Sequence, residues 1–79
     1  HGAEVDLVLA RGNAPVAAVE IKSSRHIASA DLAGLRSFLQ DNPGVPAFVL
    51  GIDVAERLMA GGVTVLDWRE FIRRRLGDL

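Results

Sequence analysis

The chain has no cysteine, and only four aromatic side chains, one tryptophan and three phenylalanines. Without cysteine there is neither a disulfide framework nor a thiolate metal site. So few rings leave little for stacking nucleobases once a core has taken its share. No stretch resembles a secretory signal, and the longest apolar run, AFVLGI, is far too short to span a bilayer. The GxxxxGK[ST] loop is missing, so no ATP site of that kind is expected. Nine basic against ten acidic residues leave a net charge of −1, so no bulk positive field draws in nucleic acid, and any such binding has to be local. These absences read as a soluble, cytoplasmic protein with no membrane partner.

What is present is apolar. Seventy-nine residues make one small domain, residues 1–79, and a chain of this size buries only about 60–65% of the surface its unfolded form exposes. Yet 49% of the residues are hydrophobic, more than so exposed a body needs. A partner is therefore expected over an apolar face, either a second copy in a homo-oligomer or a missing remainder of the chain. The strand-like EVDLVLA begins three residues after the start, which reads as a fragment truncated at its N-terminus.

Glu4 to Ala10 and Val16 to Lys22 alternate in polarity around RGNAP, whose Gly, Asn and Pro favour a reversal, so a β-hairpin is predicted. Ser29 can cap a helix with Leu32, Leu35, Phe38 and Leu39 at helical spacing, ended by DNPG. VPAFVLGI, Val45 to Ile52, has the continuous apolarity of a central strand covered on both faces. Asp53-Val54-Ala55-Glu56 has capping-box spacing and predicts a short helix stopping at Gly61-Gly62. A strand, Val63 to Leu66, and a last helix opened by Asp67, with Trp68, Phe71, Ile72 and Leu76 on one side, complete the chain. The order β-β-α-β-(short α)-β-α indicates an α/β fold, a mixed sheet flanked by helices.

Chemistry concentrates in the hairpin. Side chains alternate faces along a strand, so Val19 and Ile21 share the apolar face while Glu20 and Lys22 point opposite, as do Glu4, Asp6 and Val8 in the first strand. Keeping both apolar sets together requires paired residues of equal parity. A hairpin centred near Asn13 then sets Asp6 across from Glu20 and Glu4 across from Lys22. Like charges directly opposite cost about 0.2–1 kcal/mol unless a cation lies between them. A hard divalent ion, Mg²⁺ or Mn²⁺, suits two carboxylates, and Lys22 could orient or deprotonate a metal-bound water and stabilise charge on a phosphate. The competing reading is a solvated strand face with weak surface ion pairs worth about 0–1 kcal/mol.

GAEVDLVL, VAAVEIKSS, ADLAGLRSFLQDNP and VPAFVLG, in this order, resemble the PD-(D/E)XK nuclease-like superfamily of restriction-endonuclease-like fold. More narrowly, the chain is similar to the C-terminal domain of a group of prokaryotic AAA-type P-loop ATPases, in which GxEVDLVL, EIKSS, GLRxF and a terminal GVTVLxWREF are typical. The resemblance covers nearly the whole chain. It implies that Asp6 and Glu20 are metal-binding carboxylates and Lys22 the catalytic lysine, within a fragment of a larger ATPase chain. Glu4 is an additional carboxylate outside the general motif, and Val5 stands where that motif has proline. The resemblance also implies an initial helix and strand that this chain does not contain.

Other polar residues have plainer explanations beside functional ones. Ser23, Ser24, Arg25 and His26 after the lysine could hold phosphate oxygens, or be ordinary loop polarity. Arg36 could face nucleic acid or water. Arg73 to Arg75 could contact phosphates or complement a helix C-terminus. Trp68 and Phe71 read as core. Two functional classes follow: a metal-dependent nuclease acting on nucleic acid, or a non-catalytic nuclease-like module that binds protein or nucleic acid, or dimerises.

Overall fold

The structure is a computed structural model and describes residues 5–79. Five strands form one mixed sheet in the order β1-β2-β3-β5-β4: β1 is Leu7–Arg11, β2 Ala14–Ile21, β3 Ala47–Gly51, β4 Arg57–Met59 and β5 Val63–Asp67. The hairpin forms as predicted, with Gly12 at φ +64° in its turn. The ladder slips at Leu9/Ala10, where Pro15, which has no N–H to contribute, faces Ala10.

Strands β2, β3 and β5 run parallel, so the chain must cross over between them. The first crossover is a 3-10 turn, Ser29–Leu32, running into α1, Ala33–Asp41, which lays Leu32 and Leu35 on the face formed by Ala18, Val49 and Val65. Asp31 opens this helical segment by accepting the Ala28 N–H, while the Ser29 hydroxyl accepts from Arg36 rather than capping. The opposite face carries Ala17, Val19, Phe48, Leu50 and Leu66, and receives Phe71. Phe71 sits where the one-turn α2, Trp68–Glu70, continues into a π-helical stretch, Phe71–Arg75, and then a 3-10 turn, Leu76–Asp78. Its ring meets Phe48 edge-on with centroids 5.1 Å apart. Every residue of β3 is buried, as a strand covered on both faces requires.

One predicted element is corrected. The short helix expected from the capping-box spacing at Asp53 is absent: Asp53 adopts φ +53°, and Arg57–Met59 pairs antiparallel with β5 as an edge strand. Gly61 and Gly62, both at positive φ, turn the β4–β5 hairpin instead of ending a helix. No helix among the described residues is long and apolar enough to cross a membrane.

Candidate metal and catalytic site

The hairpin register is the one the alternation demands. Leu7 pairs with Val19, Val8 with Ala18 and Leu9 with Ala17, so these paired numbers share parity, and the register continued one residue outward would set Asp6 across from Glu20. Glu20 is half-buried on the α1 face, two residues beyond Ala18. Asp6 lies where the chain bends into β1, and its Oδ2 accepts the Ile21 N–H at 2.7 Å. The carboxylate thus stands in for a main-chain carbonyl at the end of the ladder. Glu4, the additional carboxylate, falls outside the described residues. Among the described residues no three or more His, Asp or Glu side chains gather as a metal cage.

Lys22 follows β2 directly, and its N–H donates to the Leu50 carbonyl at 2.9 Å, extending the parallel pairing by one residue. Its Nζ lies 3.8 Å from Asp31 Oδ1, both side chains being about one-third exposed. Asp31 is not a residue that the D-ExK pattern singles out; its only signal in the sequence is an acidic side chain in the opening turn before α1. The other Asp31 oxygen accepts the Ala28 N–H at 2.8 Å, so the 3-10 turn holds the carboxylate that faces the lysine.

The segment carrying Lys22 is tied to the ends of the parallel strands. Ile52 N–H donates to the Ser24 carbonyl at 2.9 Å, and a Cβ on Gly51 would come within 3.0 Å of that same oxygen. Arg25 lies 3.5 Å from Asp53, which Arg69 also contacts, at 2.7 Å. Behind them Asp67, buried at the end of β5, accepts from the Arg69 main chain and guanidinium and from the Asp53 N–H. The Arg69 guanidinium, helped by these two main-chain N–H groups, holds the Asp67 carboxyl well below the usual carboxylate range against the opposing effect of burial. Hydrogen bonds to Asp67, then to Asp53, raise Arg69 above its ordinary value, so it stays charged. His26 is exposed, its N–H donating to Ser24 Oγ at 3.0 Å.

The remaining candidate phosphate contacts are engaged within the molecule. Arg36 donates to the Ala60 carbonyl at 3.0 and 2.8 Å and to Ser29 Oγ at 2.9 Å, with its stem against Gly61. Arg74 and Arg75 grip Glu56 at 2.8 and 2.6 Å, and Arg73 pairs with Glu70 at 3.2 Å. Phe71 is core, as expected, but Trp68 is 45% exposed, with the Arg69 guanidinium 5.8 Å from its ring centroid.

A family model described as a domain of unknown function, DUF4143, matches residues 1–71. No curated protein and no solved structure matches the chain.

Proposed function

We propose that this chain, which belongs to the DUF4143 family of domains of unknown function, carries a metal-dependent phosphodiester-hydrolysing site of the PD-(D/E)XK kind. Asp6 and Glu20 are the carboxylates that would hold Mg²⁺ or Mn²⁺, and Lys22 is the catalytic cation. The observation that carries this reading is the β1–β2 register, which ends at Leu7–Val19; continued by one residue it would set Asp6 across from Glu20, with Lys22 two residues on. Two hard oxygen donors suit Mg²⁺, which takes one or two protein carboxylates and completes its shell with water and substrate phosphate. When bound, the ion supplies a Lewis acid to a phosphate oxygen and acidifies water.

The protein's own residues prepare the site. The Ile21 N–H orients the Asp6 carboxylate, as supporting hydrogen bonds do for metal-ligating carboxylates. Lys22, loosely held by Asp31 and partly exposed, can turn its ammonium onto a non-bridging phosphate oxygen and stabilise the charge that develops there. Nucleic acid is the partner in this reading, with a larger ATPase chain and a cytoplasmic location around the domain. The test is incubation with single- and double-stranded DNA and RNA in Mg²⁺ or Mn²⁺. Cleavage that requires the metal and disappears in Glu20→Gln and Lys22→Ala is expected; intact substrates under every condition sink the catalytic reading.

A second reading, a non-catalytic module of the same fold, has its own support. Each of the nine Lys and Arg side chains contacts a carboxylate or a main-chain carbonyl of the same chain. Polyanion binding then releases few counterions and depends weakly on salt. A log-affinity against log-salt slope steeper than that of two or three phosphate contacts contradicts this reading.

A further inference from the structure

Eight large hydrophobic side chains are exposed among the described residues, and five of them, Leu7, Ile21, Trp68, Ile72 and Leu76, line a single groove. Its floor is β1 and β2, with Leu7, Leu9 and Ile21. Its wall is the C-terminal helical segment, with Trp68, Ile72 and Leu76. The space between is about 380 Å³, and no polar side chain among the described residues lines it. The five side chains are each between 43% and 54% exposed, which amounts to on the order of 500 Å² of apolar surface in one patch, near the upper end for the largest patch on a soluble monomer.

We propose that this groove is the interface of a two-fold dimer, each copy laying Ile72 and Leu76 over the Leu7–Ile21 floor of the other. Three features select a second copy as the occupant. First, one patch holds both a ridge and a floor. A two-fold contact uses the same patch on both partners, so ridge on floor is made twice and neither half is left over. Second, the area suffices. Interfaces are about 60% apolar, so an apolar centre near 500 Å² belongs to an interface of about 800 Å² per partner, the standard size for a stable complex. Third, charge does not oppose the encounter: the net charge is −1, and the cations are compensated within each chain. This inference is independent of the hydrolytic reading, because the groove lies on the sheet face opposite the one that carries Glu20.

The test is sedimentation equilibrium of the 79-residue chain over micromolar to submillimolar concentration, with Trp68 fluorescence as a second reading. Trp68 is the single tryptophan and sits in the patch. The expected result is twice the 8.4 kDa monomer mass, with Trp68 emission moving to shorter wavelength as the dimer forms. Ile72→Glu and Ile21→Lys, both at half-exposed positions, should keep a dispersed amide spectrum and each raise the dimer dissociation constant about tenfold or more. Leu58→Glu, exposed but outside the groove, should leave it unchanged. A monomeric mass throughout assigns the groove to another polypeptide or ligand and overturns the proposal. So does a dimer that both groove variants leave intact.

Discussion

The Asp6 carboxylate accepts the main-chain N–H of Ile21 at 2.7 Å, at the point where the β1–β2 ladder runs out of strand. One side chain therefore closes the hairpin and, on the proposed function, would also serve as a metal ligand with Glu20. The two roles separate by substitution. Asp6→Asn keeps an oxygen for the Ile21 N–H and should change stability little, whereas Asp6→Ala should lose about 0.5–1.5 kcal/mol. Urea unfolding of the pair checks this, and equal losses would show that the bond contributes nothing.

The apolar alternation of the hairpin makes this register legible in the amino-acid sequence. Val19 and Ile21 must share a face with Leu7 and Leu9, and a slip by one residue would put them in water. The apolar run of β3 is equally plain. The segment 53–60 is not. Its capping-box spacing is real, but the Asp53 N–H donates to Asp67, fourteen residues away, and three residues pair with β5. Such pairing outweighs local propensity, and a three-residue strand is too short to show a period. The arginine partners are illegible for the same reason: Glu56 meets Arg74 and Arg75 only once β4 and the C-terminal segment are in place. Asp31 faces Lys22 only through the crossover.

Asp67 gives the fold an acid dependence. Its folded pKa is depressed, chiefly by Arg69, so its contribution is complete above the unfolded aspartate value of about 3.9 and is lost as pH falls below that. Asp67→Asn should therefore melt lower than wild type at pH 7, with the gap closing below about pH 4. Melting temperatures from neutral pH to about pH 2 test it; a gap independent of pH contradicts the Asp67–Arg69 account.

Gly51 is required by contact. A Cβ there would lie 3.0 Å from the Ser24 carbonyl and 3.1 Å from a Val54 methyl, and the carbonyl is already bonded to the Ile52 N–H. Gly51→Ala should cost about 1–3 kcal/mol and shift the amides of residues 22–25. A neutral substitution would mean that the Lys22 segment is not clamped.

Arg36 provides a test between surface and scaffold. Its four hydrogen bonds, two to Ala60 and two to Ser29, tie α1 to the β4–β5 turn and to the 3-10 turn that precedes α1. Arg36→Ala should lower stability by about 1–3 kcal/mol and leave polyanion affinity unchanged. The reverse pattern, unchanged melting with weakened binding, would place Arg36 on a nucleic-acid surface.

The most direct measurement of the central claim is titration of the amide NMR spectrum with Mg²⁺ and Mn²⁺, comparing wild type with Asp6→Asn and Glu20→Gln. The account predicts saturable Mg²⁺ shifts and Mn²⁺ broadening centred on Asp6, Glu20 and Lys22, both absent in either variant while the fold persists. A folded wild type whose spectrum does not move at millimolar metal contradicts the site, whatever the dimerisation experiment shows.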